Sequence, residues 1–128
     1  MKMKELFDRG EFVVSAEVGP PKGIHVDELV EEAKTYLKGV HAVNVTDNQS
    51  SVMRLGSLAM CKVLKDAGMD PIFQLACRDR NRIALESDLL SAAMLGIENI
   101  LCLTGDHTKM GDHPQAKPVF DLDSVSLL

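Results

Sequence analysis

Glu17 is the first residue whose type and position are suited to chemistry. It ends a short apolar run that begins at Phe12, and Gly19, Pro20 and Pro21 follow, where neither a strand nor a helix continues. The sequence therefore predicts an acid at the end of a buried strand. A carboxylic acid kept protonated there is suited to general acid catalysis. The alternative is a carboxylate that simply meets water or a cation.

Polar residues also mark the ends of three further apolar segments. They are Thr46, Asp47 and Asn48 for the second segment, Gln74, Cys77 and Arg78 for the third, and Thr104, Gly105 and Asp106 for the fourth. The carboxyl ends of parallel strands meet at one edge of a sheet, which is where α/β proteins bind their ligands. We therefore expect these groups to converge with Glu17 in one binding site.

Strands and helices alternate along the chain. Strands are predicted to start near Phe12, Ala42, Ile72 and Asn99, a spacing of about thirty residues that is typical of a βα unit. Three helices are predicted between and after them, ending at Gly39, Gly68 and Gly96, and a fourth begins within residues 121–128. Their expected buried faces are Leu29, Val30, Ala33, Tyr36 and Leu37; Leu55, Leu58, Ala59, Val63 and Leu64; and Ile83, Leu89, Leu90, Ala93 and Met94.

This alternation predicts an α/β fold with a parallel sheet, for which two closures fit. One is a doubly wound open sheet, and the other is the N-terminal half of a TIM (β/α)8 barrel, which has about 250 residues in full. Residues 1–128 stop at the start of a fourth helix, whereas an open-sheet domain would end on a completed element. We therefore expect the half barrel, a single partial domain of about four βα units.

Composition excludes several classes of protein. A net charge of −5 over 128 residues argues against a nucleic-acid partner. No apolar run is long enough to span a membrane or to form a signal peptide, so we expect a cytoplasmic protein without a membrane partner. The cysteines Cys61, Cys77 and Cys102 have no zinc-binding spacing and are interpreted as reduced thiols.

Other motifs are weaker or missing. Neither a GxGxxG fingerprint nor a Walker loop is present, and no serine lies in a nucleophile elbow. The run of residues 78–82, RDRNR, opens a helix where only Asp79 suits a cap. It indicates either a nearby anion such as phosphate or a solvated basic turn compensated by Glu86 and Asp88. The repeated GDH at residues 105–107 and 111–113 does not favour a metal site, because the second copy lies in a proline-containing loop.

Five stretches, in chain order, resemble the methylenetetrahydrofolate reductase family. They are the acid before a double proline, VNVTDNQ, QLACRDRNR, LTGD and KPVFDLDS. Together they cover nearly the whole chain at the right spacings. The RDRNR and LTGDH variants are most similar to reductases of anaerobic, acetogen-like bacteria, which can work with a separate partner protein.

The resemblance implies a flavoprotein oxidoreductase of one-carbon metabolism and methionine biosynthesis. Such an enzyme uses FAD, with NADH or NADPH as electron donor, to reduce 5,10-methylenetetrahydrofolate to 5-methyltetrahydrofolate. It implies that Glu17 is the general acid and that Asp106 lies near flavin and folate, both being catalytic and substrate-binding residues. The implied flavin contacts are Thr46, Gln74, Thr104, Gly105, Asp106, Phe120 and Asp121. Many relatives have histidine in place of Gln74 and arginine in place of Thr104.

The resemblance also implies four further βα units. The chain is therefore expected to be a fragment or to be completed by a second chain, which includes a homo-oligomer of half barrels. Two rival functions remain at this stage. One is a pterin-binding methyltransferase barrel without flavin, and the other is a non-catalytic half-barrel module.

Overall fold

The computed structural model describes residues 1–128 and contains four strands and five α-helices. The strands are β1 (Ser15–Val18), β2 (Ala42–Val45), β3 (Pro71–Ala76) and β4 (Asn99–Leu103). The helices are α1 (Met3–Asp8), α2 (Asp27–Tyr36), α3 (Ser57–Asp66), α4 (Arg82–Met94) and α5 (Ser124–Leu127). Short 3₁₀ turns after β2, β3 and β4 span Gln49–Ser51, Cys77–Asp79 and Thr108–Met110.

The four strands are parallel and lie in the order β1-β2-β3-β4, so every hydrogen-bonded neighbour is also a neighbour in the chain. A doubly wound sheet needs a reversal in strand order, because only then do helices cover both faces. Here the order does not reverse. The half-barrel interpretation is confirmed, and the doubly wound alternative is wrong.

One face of the sheet packs against α2, α3 and α4. Alternate strand residues point into this layer, including Val43 and Val45 of β2 and Phe73 and Leu75 of β3, all fully buried. Each large apolar side chain buried in this way stabilises the fold by about 1.5–3 kcal/mol. Cys61 of α3 belongs to the same core, where burial raises the pKa of its thiol to about 12.

The other face of the sheet corresponds to the barrel interior. It carries Ser15 and Glu17 of β1, Asn44 of β2, Gln74 of β3 and Leu101 of β4. Gln74 is buried there, whereas Ser15, Glu17 and Leu101 are exposed. This face is thus polar towards β1 and open at both lateral edges.

The predicted first strand needs correction. It begins at Ser15 instead of Phe12, whose side chain is 89% exposed, and it is an edge strand. Consequently Glu17 is exposed, and the expectation of a buried acid is wrong. The apolar run ahead of β1 lacks a neighbouring strand on one side that would cover it.

The helices were predicted in the right places, but some of their buried faces were wrong. Tyr36, Ile83, Leu90 and Met94 are 74–81% exposed, and Ala59 and Ala93 are exposed as well. The buried positions of α4 are Leu85 and Ala92. The helix predicted to follow the second strand is α3, and it begins at Ser57 rather than near Val52, because the preceding residues form an irregular loop. The glycines predicted to end the helices, Gly39, Gly68 and Gly96, all have positive φ.

Helix α1 was not predicted, and it lies at the end of the sheet opposite the candidate site. Asn99, at the start of β4, accepts a hydrogen bond from the Met3 N–H (2.7 Å) and donates one to the Met1 carbonyl (2.8 Å). Leu6 is the buried residue of this helix. None of the helices in the chain combines the length and the apolar character needed to cross a membrane.

Candidate functional site

A polar cleft of about 310 Å³ lies at the carboxyl ends of the four strands. Binding pockets are usually lined mainly by apolar side chains, yet only Ala76 and Leu103 are hydrophobic here. The other residues that line it are Glu17, Thr46, Asp47, Asn48, Gln49, Ser50, Gln74, Arg78, Gly105 and Asp106. Residues from all four strand ends therefore converge as predicted, but the expected participation of Cys77, which is buried, and of Thr104 is wrong.

Glu17 lines the cleft from β1, and Asp106 lines it from the loop after β4. Both residues are exposed, and neither carboxylate takes part in an ion pair. The other two charged residues that line the cleft, Asp47 and Arg78, are paired with Arg80 and Asp79. Glu17 and Asp106 are therefore the carboxylates of the cleft that are available to a ligand.

Thr46 and Gln74 lie between these two acids. The Thr46 residue is 3% exposed, and its hydroxyl has no hydrogen-bond partner. The Gln74 carboxamide donates one long hydrogen bond, 3.4 Å from Nε2 to Asn44 Oδ1. A buried polar group without a partner costs free energy, so these side chains are poised to bind a ligand that supplies one.

Asp47 is structural despite its place in the cleft wall. Its carboxylate is completely buried and accepts from Arg80 Nη1 (2.6 Å) and from the Ala76 N–H (2.8 Å). Arg80 also pairs with Asp88 at 2.8 Å. Burial lowers the pKa of Arg80, but the hydrogen bond and charge of Asp47 outweigh this, and the net pKa is raised. Through its two ion pairs, Arg80 links the end of β2 to Asp88 of α4.

Arg78 is the other buried cation and is only 2% exposed. Its guanidinium forms a fork with Asp79, with Nε 2.9 Å from Oδ1 and Nη2 2.7 Å from Oδ2. It also donates to the carbonyl oxygens of Asn48 (3.3 Å) and Asp106 (3.2 Å). Arg78 thereby connects the loops that follow β2 and β4.

The RDRNR run is neither a free anion site nor a solvated basic turn. Arg78 pairs with Asp79, Arg80 with two acids, and Arg82 with Asp121. Asp88 compensates Arg80 as expected, whereas Glu86 forms no ion pair. The cap of α4 is Asn81, which accepts from the Ala84 N–H, so the expectation for Asp79 is wrong.

Thr104, Phe120 and Asp121 do not line the cleft, although the resemblance implies flavin contacts for them. The Thr104 hydroxyl accepts from the Ser124 N–H (3.0 Å) and so holds the start of α5. The Phe120 ring lies 6.3 Å from the His107 ring. The Arg82 guanidinium hydrogen-bonds Asp121 and lowers the pKa of that carboxyl to about 2. A role in flavin binding stays a prediction for all three.

The GDH repeat connects loops. Asp112 lies 2.7 Å from Lys22 Nζ and 3.0 Å from His113 Nδ1, and it accepts from the Met53 N–H (3.0 Å). Hydrogen bonds from Lys22, His113 and this N–H hold the pKa of Asp112 well below its usual range. No group of three or more metal-ligating side chains lies together in the structure.

Sequence reasoning missed the importance of two features. Arg78 was seen only as a strand-end residue and as part of a basic run, because its partners are backbone carbonyls from distant loops. The loop after β2 contains Asn48, Ser50 and Ser51 with φ of 45°, 57° and 59°. Asparagine is common in that conformation, but nothing in the sequence marks the two serines.

The model of the methylenetetrahydrofolate reductase family matches residues 2–128. The chain belongs to the methylenetetrahydrofolate reductase family. A search of curated proteins found no match. As members of this family are oxidoreductases built on a TIM barrel, the four-stranded sheet is the N-terminal half of a reductase barrel, and the polar cleft lies where such barrels carry their active sites.

Proposed function

We propose that the cleft takes part in the FAD-dependent reduction of 5,10-methylenetetrahydrofolate to 5-methyltetrahydrofolate, with reduced nicotinamide as electron donor. The observation that carries this proposal is the placement of two unpaired carboxylates, Glu17 and Asp106, on one cleft of a reductase-family barrel. An acid and a second charge next to a ligand are what a proton-assisted reduction needs from its protein.

The residues of the cleft fit a flavin. An isoalloxazine ring presents nitrogen and carbonyl groups that need donors and acceptors. The Thr46 hydroxyl has no partner, and the Gln74 carboxamide has only one weak one. These two side chains, with the backbone of Gly105, would hold the ring. When bound, FAD would supply the hydride transfer, which no amino-acid side chain performs.

Glu17 acts as the general acid in this proposal. A proton delivered to a ring nitrogen of the folate would assist opening of its five-membered ring and leave a methylene carbon ready to accept a hydride. Glu17 is exposed in the free chain. A substrate that covers the cleft would exclude water from the place where this proton is delivered.

Asp106 orients the substrate in this proposal. Its carboxylate can accept hydrogen bonds from the amino and ring N–H groups of a pterin. Its negative charge would oppose the gain of negative charge by a flavin reduced in the same cleft. Gly105 has φ of +91°, which a residue with a side chain rarely adopts. That turn aims Asp106 at the cleft.

Glu17→Gln tests the acid. In the catalytically active protein the variant should reduce folate about 10²- to 10⁴-fold more slowly, because glutamine keeps the shape but delivers no proton. Oxidation of reduced nicotinamide by the flavin should be spared, because that half-reaction needs no acid at Glu17. Glu28→Gln, at an exposed position of α2, is the matched control and should change neither rate. Equal loss of both half-reactions in Glu17→Gln would make Glu17 a structural residue.

Asp106→Asn tests the second carboxylate. Loss of its charge should make a bound flavin easier to reduce and should weaken folate binding. Reduction potential and folate affinity are the measurements, with Asp66→Asn at the far end of α3 as control. An unchanged potential would place Asp106 away from the flavin.

Flavin absorbance separates this function from its rivals. A protein that binds folate but stays colourless with added FAD would be a pterin-binding barrel of the methyltransferase type. A protein that folds and associates but binds neither ligand would be a non-catalytic module.

A further inference from the structure

The cost of burying Arg78 is not explained by stability alone. A buried guanidinium must be removed from water, and replacing a buried ion pair by apolar residues often leaves stability unchanged or higher. Arg78 is among the largest fully buried side chains of the chain, and its partner Asp79 is about one-third exposed. We therefore expect the guanidinium of Arg78 to have a function that an apolar side chain could not perform.

The donors of Arg78 that remain after the fork with Asp79 reach both walls of the cleft. Nη2 donates to the Asn48 carbonyl, and Nη1 donates to the Asp106 carbonyl. The turn before Asp106 also packs directly on this side chain. A Cβ placed on Gly105 would lie 3.1 Å from Arg78 Cβ and 3.3 Å from Nη1, so the turn has no room to move inward.

The loop of residues 48–51 needs such support. Three of its four residues, Asn48, Ser50 and Ser51, have left-handed φ values that non-glycine residues rarely adopt. Such conformations persist only where surrounding contacts hold them. The Ser51 hydroxyl lies 2.7 Å from the Asp106 carbonyl, which therefore receives hydrogen bonds from Ser51 and from Arg78.

We propose that Arg78 is a positioning residue that holds the loop of residues 48–51 and the Gly105–Asp106 turn at a fixed separation across the end of β3. Glu17 and Gln74 are carried by strands, whereas Asp106 is carried by a loop. Arg78 compensates for that difference by tying the backbone of Asp106 to the sheet. The consequence for ligand binding rests on the proposed function, but the consequence for loop order does not.

Amide hydrogen exchange of the unliganded chain tests the positioning role. Arg78→Lys keeps the charge but lacks the fork, and Arg78→Met removes both. Leu64→Ala is the control, because Leu64 is fully buried in α3, away from the cleft, and its loss destabilises the whole core. In both Arg78 variants, exchange at residues 48–51 and 104–107 should accelerate roughly tenfold, as expected when hydrogen bonds to a charged group are lost.

Exchange in β3 reports global opening. When the variants are compared at equal free energies of unfolding, exchange in β3 should be no faster in the Arg78 variants than in Leu64→Ala. Titration with FAD adds a second readout: both Arg78 variants should bind it about tenfold more weakly than Leu64→Ala, a change that corresponds to about 1.4 kcal/mol. Unchanged loop exchange relative to Leu64→Ala would overturn the positioning role, and faster loop exchange with unaltered FAD affinity would overturn its consequence for ligand binding. Failure of the unaltered protein to bind FAD would count against the proposed function alone, because the exchange result stands without a ligand.

Discussion

β3 and β4 are neighbouring strands of similar length and similar apolar content, yet they differ sharply in burial. All six residues of β3 are buried, whereas β4 has no fully buried residue and Leu101 is 40% exposed. β3 has a hydrogen-bonded strand on each side, and β4 has one on one side only. An apolar sequence therefore predicts a strand, but burial of that strand depends on neighbours at both edges.

The same contrast separates the two halves of the candidate site. Residues near the end of β3 are fixed by buried ion pairs, with Asp47, Arg78 and Arg80 each held by two or more hydrogen bonds. Glu17, on the edge strand β1, has no ionic partner and is exposed. The residues at the centre of the sheet are therefore held by ion pairs, whereas the edge carries a carboxylate without a partner.

The largest expected effect is on core packing. Phe73→Ala at the centre of β3 should lower the free energy of unfolding by about 3–5 kcal/mol, because it removes a fully buried ring and leaves a cavity. Leu101→Ala at the edge should lower it by less than about 1 kcal/mol, because the side chain is already partly in water. Urea unfolding of the two variants measures both values, and equal losses would show that the edge is as well packed as the centre.

The contribution of an ion pair to the free energy of unfolding should likewise depend on its burial. Arg80→Met should cost about 3–5 kcal/mol, because it leaves the completely buried carboxylate of Asp47 without its cation. Lys62→Met breaks the exposed pair with Asp66 on α3 and should cost about 0.5 kcal/mol or less. The two changes are matched in chemistry and differ in burial. Similar losses in thermal or urea unfolding would contradict the argument from burial.

Much of this architecture could be predicted from the sequence, because strands and helices alternate with clear periodicity. The start predicted for β4, Asn99, coincides with the observed one, and the start predicted for β3, near Ile72, differs by one residue. The buried face of α4 could not be predicted in the same way, since apolar residues occur all round this helix and only packing selects Leu85 and Ala92. Helix α1 is too short for periodicity to reveal it.

Prediction of the candidate site from the sequence has a similar limit. The strand-end rule for parallel sheets brought Glu17, Thr46, Gln74 and Asp106 together correctly. It could not reveal that Arg78 reaches carbonyls 28 and 30 residues away in the chain, because such contacts depend on the shape of two loops. Nor could it show that Glu17 is exposed, since that follows from the absence of a strand beside β1.

The open edges should also promote association. The outer backbone groups of β1 and β4 have no strand partner, and exposed parallel edges pair readily with other strands. We expect the 128-residue chain to form dimers or larger species with weak FAD binding. Sedimentation velocity over a range of concentrations, with and without added FAD, measures this.

Leu101→Lys is the variant that sharpens the test of association. It places a charge on the inner face of β4, which should oppose closure with a second sheet and shift the protein towards monomer. Ile83→Lys, on the outer side of α4, is the control and should leave association unchanged. A compact monomer of the unaltered chain with tight, stoichiometric flavin would contradict the argument from open edges.

The smallest effect is expected at an exposed ion pair outside the centre. Hydrogen bonds from Arg82 lower the pKa of Asp121 from 3.8 to about 2 in the folded chain. A group whose pKa is lower in the folded state adds stability above its unfolded pKa and loses it as the pH falls. The contribution of Asp121 should thus be complete above about pH 4 and should disappear as the pH approaches 2.

Asp121→Asn should be less stable than the unaltered chain at pH 6, and the difference should shrink steadily in urea unfolding at pH 4, 3 and 2. The control is the same substitution in an Arg82→Met background, where the partner is missing and the pH-dependent difference should vanish. A difference that persists there would trace the acid sensitivity to a group other than this pair.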